Sequence, residues 1–216
     1  ADGSNGQSVG HVRVFNYSGT QISWDQLGQD IDGEAADDYS GSSVSMDSSG
    51  NIVAIGAFGN NTQLSPNNGH IRVFSYDSGS WNQLGQDIDG VYEVSLNSSG
   101  DKLVASHKSK NSSAGLVRGY SYDGTLWLQI GQDIFGNSSN DKFGDNISIS
   151  NNGNRIVALS LNDNLNGLGY YIKVYDWNGT SWVQVGTDIN GTGQFSAETP
   201  HISINSDGSR IAVGTV

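Results

Sequence analysis

The octet QLGQDIDG at residues 26–33 returns unchanged at 83–90, and again as QIGQDIFG at 129–136 and QVGTDING at 184–191. A tryptophan stands just upstream of each copy: Trp24, Trp81, Trp127 and Trp182. Before each tryptophan lies an alternating segment, GHVRVFNY (10–17), GHIRVFSY (69–76), GLVRGYSY (115–122) or YYIKVYDW (170–177). After each octet comes SVSMDSSGNIVAIG (43–56), EVSLNSSGDKLVAS (93–106), NISISNNGNRIVAL (146–159) or HISINSDGSRIAVG (201–214). The same elements in the same order at a period near 50 residues mark a repeat architecture.

Each repeat reads as four short strands. Apolar and polar residues alternate in VRVF and SVSM, β-branched and aromatic residues dominate, and the SSG, NNG and SDG clusters are hairpin turns with Gly50, Gly100, Gly153 and Gly208 at their corners. No stretch supports a helix of ten residues. The tryptophan spacings of 57, 46 and 55 differ only through loops: Gly90 reaches Val94 in four residues, where the other three copies take eleven. The expected fold is therefore all-β, a β-propeller of four-stranded antiparallel blades forming a single domain over 1–216. Its repeats fall at about 10–33 plus 195–216, 34–90, 91–136 and 137–191.

The chain opens in the third strand of a repeat and ends after the second. A four-bladed ring would close if the C-terminal pair joined the N-terminal pair, leaving no blade edge unpaired. The alternative is a segment of a longer propeller, which suits a chain that opens on Ala1 rather than Met.

Composition narrows the function classes. The 216 residues include no Cys, so disulfide scaffolds and thiolate metal sites are excluded. With 22 acidic against 10 basic side chains and a net charge of -12, nucleic acid and anionic membrane surfaces are not expected partners. No apolar run is long enough for a membrane-spanning helix, so membrane insertion is not expected. The four histidines make no HExxH spacing, no GxSxG elbow is present, and no cofactor fingerprint occurs, so neither catalysis nor a cofactor is expected.

Residues that recur in every repeat are first of all scaffold. Arg13, Arg72, Arg118 and Lys173 share one position, and Asp30, Asp87, Asp133 and Asp188 share another. Pairing Tyr76 with Trp81 would set Arg72 opposite Gly85 and His70 opposite Asp87, with each cation supporting its own blade. Trp81, Trp127 and Trp182 read as cross-strand packing partners of Tyr76, Tyr122 and Trp177; the sharper alternative is that they stack on sugar rings. Departures from the repeat make better site candidates. His107 replaces the Ala57, Ser160 or Thr215 of the other copies and is followed by Lys108 and Lys110, a local basic spot able to hold a carboxylate or sulfate, or else an ordinary solvated loop. Acidic residues gather in two linkers, at Asp30, Asp32, Glu34, Asp37 and Asp38 and at Asp141 and Asp145. None forms an alternating DxDxDG ladder, so no metal is assigned, with Asp37, Asp38, Asp141 and Asp145 as the alternative calcium ligands. Eight NxS/T sequons, starting at Asn16, Asn60, Asn97, Asn111, Asn137, Asn146, Asn178 and Asn190, permit glycosylation on a secretory route.

The third element carries a family resemblance. YSGSSVSMDSSGNIVAIGAF followed by GHIRVFSY, and KFGDNISISNNGNRIVALS followed by YYIKVYDW, resemble the FG-GAP repeat of integrin-type propellers over nearly the whole chain. Phe143-Gly144 keeps the FG pair, Tyr39-Ser40-Gly41 loosens it and Val91-Tyr92 has lost it. The resemblance implies an extracellular or cell-surface propeller used for adhesion or ligand recognition, in a family whose blades usually number seven. The family's Asp-rich calcium loop is absent: MDSSGN, LNSSGD, ISNNGN and INSDGS are tight turns with too few carboxylates. The expected function is a non-enzymatic recognition or adhesion module binding protein or glycan through loops or rim. The alternative is a structural subunit that self-assembles into a larger extracellular array, and a carbohydrate-active or other enzyme ranks third.

Overall fold

The computed structural model describes residues 8–19, 22–59, 69–161, 169–191 and 200–214. It is nearly all β, as the alternation requires, and its strands fall into successive antiparallel sheets. The second repeat forms a sheet of β5 (Ser40–Met46), β6 (Ile52–Ala57), β7 (His70–Asp77) and β8 (Ser80–Gln83), with β9 (Ile88–Asp89) also on β7. The third forms β10 (Glu93–Leu96), β11 (Lys102–His107), β12 (Leu116–Tyr122) and β13 (Trp127–Phe135). The fourth forms β14 (Asn146–Ile149), β15 (Arg155–Ser160), β16 (Tyr170–Trp177) and β17 (Trp182–Gln184), with β18 (Ile189–Gly191) on β16. The sole helical turn among the described residues is α1 (Lys110–Ser113), and Asn111 and Ser112 inside it have positive φ.

The register follows the sequence pattern with one correction. Tyr76 pairs with Trp81 as expected, but His70 then lies opposite Asp89, not Asp87, and Ile71 opposite Ile88. The octet bulges at its glycine: Gly85 sits at φ +80°, and the Leu84 amide donates to the Val73 carbonyl at 2.7 Å. A left-handed glycine in mid-strand inserts extra residues on one side of the ladder and breaks the fourth strand in two.

Sheets are packed face to face and linked at two polar levels. The hairpin turns are chained, with Ser48 donating to Ser98, Ser98 to Asn151 and Asn151 to Ser206, all main chain to main chain at 3.0–3.1 Å. Inner-strand amides reach serines of the preceding sheet: Val94 to Ser43 Oγ at 3.1 Å, Leu96 to Ser45 Oγ at 2.8 Å and Ile149 to Ser95 Oγ at 3.3 Å. The polar members of the SVSM alternation thus satisfy backbone donors that would otherwise be orphaned between sheets. Apolar members fill the space between neighbours, as where Ile71, Val91, Leu103 and Trp127 meet in one cluster.

At the N-terminal end β1 (His11–Val12) pairs with β4 (Ile31–Asp32), and β2 (Phe15–Ser18) with β3 (Ser23–Gln26). At the C-terminal end β19 (His201–Ile204) and β20 (Ile211–Gly214) make a sheet of two strands. The expected pairing of the last strands with the first is not formed among the described residues.

Candidate functional site

The joint between repeats recurs three times with the same parts. The Trp81 indole donates to the Leu27 carbonyl at 2.7 Å, Trp127 to Leu84 at 2.8 Å and Trp182 to Ile130 at 3.0 Å. In each case the preceding octet also supplies a glutamine that grips the tryptophan backbone from both sides. Gln86 Nε2 donates to the Trp127 carbonyl at 2.7 Å while the Trp127 amide donates to Gln86 Oε1 at 3.0 Å, and Gln29 and Gln132 treat Trp81 and Trp182 alike. The indoles lie over Gly28, Gly85 and Gly131, where a Cβ would meet the ring at 2.8–2.9 Å. Trp81, Trp127 and Trp182 are consequently 4%, 2% and 3% exposed. This corrects the sugar-stacking alternative, which needs a free indole face. Trp24 is 68% exposed.

The shared cation and carboxylate positions divide in two. Arg13 holds Asp30 with contacts of 2.7–3.0 Å, and Arg118 holds Asp133 through two bonds of 2.8 Å, as intra-repeat supports. In the second and fourth repeats the cation turns to the linker before it. Arg72 donates to the Asp32 carbonyl at 2.6 Å with Glu34 at 3.6 Å, and Lys173 donates to Asn137 Oδ1 at 2.6 Å. Glu34 and Asn137 each follow the last glycine of an octet, so both cations use the same site. Asp87, without an arginine of its own, keeps the Gln83 bond at 2.7 Å and lies with Glu34 and His70 in a group whose ligand atoms are all within 4.8 Å of one another.

The remaining predicted site residues are mostly structural. His107 is buried in β11, its ring 4.9 Å from that of Tyr92 and its Nδ1 3.2 Å from the Ser109 amide. Lys108 pairs with Asp145 at 2.6 Å, and Lys110 begins the helical turn, so the three do not merge into one basic spot. Asp38 and Asp141 are buried turn caps. Asp38 accepts from the Glu34 and Ala35 amides at 2.9 and 2.7 Å, and Asp141 from the Ser138 amide and the Tyr171 hydroxyl at 2.8 Å each. These bonds take one oxygen, Oδ2, of each carboxylate, and Lys108 takes one oxygen of Asp145, so the carboxylates named as alternative calcium ligands each serve a turn or an ion pair, except Asp37. Asn97 is buried and bonded within its turn, so that sequon cannot carry a glycan, while Asn60 lies outside the described residues, as does Thr215.

A feature outside the repeat pattern stands where the first linker meets β6. Tyr39 and Phe58 are stacked, ring centroids 4.6 Å apart and planes at 17°, yet 41% and 44% exposed. With Ser8, Gly10, Ser40, Gly41 and Ser42 they line an open, mostly apolar cleft of about 280 Å³. Ser40, which lines it, is buried, and its Oγ has no hydrogen-bond partner among the described residues. Tyr39 has φ +54°, and its counterpart in the third linker, Lys142, has φ +50°, so the backbone form belongs to the linker. That conformation disfavours an aromatic residue.

No family model matches the sequence, and no curated protein matches it. Solved structures do: hydrazine synthase of Kuenenia stuttgartiensis at 11% identity and TM-score 0.57, and the complex of KlAtg21 with the coiled-coil of AgAtg16 at 10% identity and TM-score 0.58. They cover 93% and 94% of this chain. TolB from Acinetobacter baumannii follows at 14% identity and TM-score 0.49. At such identities the likeness is one of fold. The chain spans about half the length of the first two, 49% and 57%.

The arginine pairs give the fold a pH signature. The Arg13 guanidinium, with help from Gln26, holds the Asp30 carboxyl down at about 2, and Arg118 lowers Asp133 in the same way. A carboxyl depressed in the folded state contributes stability above its unfolded value near 4, and that contribution is lost as pH falls through the folded value. Urea midpoints are expected to drop between pH 4 and pH 2. Arg118→Met is expected to lower the pH 7 midpoint and to shrink the acid-side drop; an unchanged acid limb would show that the pair is not responsible.

Proposed function

We propose that the chain is a non-enzymatic β-propeller module of the FG-GAP type, with four-stranded blades, that recognises a glycan or protein ligand outside the cell. The observation that carries this reading is the exposed Tyr39–Phe58 stack over its cleft. Stacked aromatic faces beside a hydroxyl in want of a partner are what an apolar sugar face with flanking hydroxyls requires. The rim tryptophans have no part in it. Glycan-array binding by the wild-type chain is expected to fall at least tenfold in Tyr39→Ala and in Phe58→Ala, and to survive Trp24→Ala. A blank array, or binding that both cleft variants retain, would overturn the recognition reading.

The structural-subunit reading keeps one specific observation in its favour. Among the described residues Trp24 lies largely exposed, and nothing lies within 4 Å of a Cβ placed on Gly186, in the octet at 184–191. A further repeat, in the same propeller or in a second copy, would cover both. Thr187 stands where the gripping glutamine stands elsewhere, so a tryptophan bound there would lose that part of the joint.

A further inference from the structure

The geometry points to a divalent-cation site of the zinc class at Glu34, His70 and Asp87, bridging the first and second repeats. Their candidate ligand atoms, one imidazole nitrogen and two carboxylate oxygens, lie within 4.8 Å of one another. Ligands about a tetrahedral zinc at ~2.0–2.1 Å stand roughly 3.4 Å apart. Small side-chain rotations close that difference, and Glu34, the exposed member, has the most room to make them.

Two independent observations separate this group from a chance gathering of acids. His70 is 2% exposed and makes no side-chain hydrogen bond among the described residues. Its ring nitrogens are not among the fully enclosed polar atoms, so water or an ion reaches them from the side where the two carboxylates stand. The second observation is the comparison that the repeat itself supplies. At the fourth repeat the same three positions hold Asn137, Tyr171 and Asp188, and they satisfy one another: the Asn137 amide donates to the Tyr171 hydroxyl at 3.1 Å, and Asn137 Nδ2 to Asp188 at 3.3 Å. At the third they hold Val91, Leu116 and Asp133, where the apolar pair is buried and Asp133 goes to Arg118. Among the described residues, only the joint between the first and second repeats sets three ligand-type groups together with no hydrogen bonds among them.

The neighbouring charges fit the assignment. Gln83 bonds one oxygen of Asp87 at 2.7 Å, which orients the carboxylate and leaves its other oxygen for an ion. Arg72 lies 3.6 Å from Glu34 Oε1, and a carboxylate can face a guanidinium with one oxygen and a metal with the other. Mixed imidazole and carboxylate ligands suit a first-row cation; calcium prefers six to eight oxygens. With three protein ligands the fourth position stays open to water or to an acidic group of a partner.

The test is zinc binding by the full 216-residue chain after chelator treatment, followed by calorimetry and by NMR of the histidine rings. One zinc per chain is expected, with the His70 ring signals moving and those of His11, His107 and His201 unmoved. Glu34→Gln, at an exposed position, is expected to weaken binding at least about tenfold with an unchanged far-UV spectrum. The double variant Glu34→Asn/His70→Tyr installs the residue pair that the fourth repeat already accommodates, so it keeps the fold and is expected to abolish stoichiometric binding. Wild-type affinity in either variant, zinc-induced shifts confined to other histidines, or no binding by the wild-type chain would overturn the assignment.

Discussion

Trp127→Ala is expected to destabilise the fold by about 3–5 kcal/mol, the range for deleting a buried large aromatic. The indole is 2% exposed and packs with Ile88, Val91 and Leu96 across the joint between the second and third repeats. Its removal also leaves the Leu84 carbonyl without the indole donor it accepts from at 2.8 Å. For a chain of this size the loss corresponds to a fall in melting temperature on the order of 10 °C. Trp24→Ala supplies the contrast: the same residue at the same repeat position, 68% exposed, is expected to change stability by no more than about 0.5 kcal/mol. Urea denaturation of the two variants separates repeat position from burial, and equal effects would show that the joint is not what holds the sheets together. The same pair tests self-assembly. If Trp24 seats on the octet at 184–191 of a second copy, the weight-average mass of the wild-type chain rises with concentration and Trp24→Ala abolishes the rise. A constant monomer mass would sink the structural-subunit reading.

How far this arrangement can be read from the residues differs from element to element. The strands of each repeat, their hairpin glycines and the Tyr76–Trp81 pairing were legible because alternation and turn chemistry act over neighbouring residues. The octet bulge was not, since QLGQDIDG reads as a continuous strand until Gly85 takes φ +80° and shifts the following register by two residues. The choice of partner by Arg72 was also hidden: the position is shared with Arg13 and Arg118, but only the sheet packing brings Asp32 and Glu34 of the preceding repeat within its reach. Burial of the tryptophans does leave a trace in the sequence, namely a glycine at the third octet position wherever an indole lies flat across the chain. The Tyr39–Phe58 shelf had a signal too. Ser40 pairs with Ala57, so the residues just outside that pair meet, and both are aromatic where the third linker has Lys142 and the strand after it Leu161.

Gly115→Ala combines two penalties at the joint between the third and fourth repeats. Gly115 has φ +88°, and a Cβ there would lie 2.0 Å from the Phe143 carbonyl oxygen and 2.4 Å from its amide nitrogen, atoms of a main-chain bridge that cannot rotate aside. Relief requires moving Phe143, which is fully buried, stacks on Tyr171 at 6.1 Å and has its amide bonded to the Ala114 carbonyl at 3.0 Å. Left-handed backbone costs a non-glycine residue about 1–3 kcal/mol, and overpacking costs about 1–3 kcal/mol more. The expected total, about 3–5 kcal/mol, makes this as damaging as losing a joint tryptophan although it adds only one methyl group. Gly124→Ala isolates the first part: that glycine has φ +101° with nothing within 4 Å of a Cβ, so about 1–2 kcal/mol is expected. Chemical denaturation of both variants decides the matter. Equal losses would mean that the bridge yields freely and that the joint is held by its aromatic and polar contacts alone.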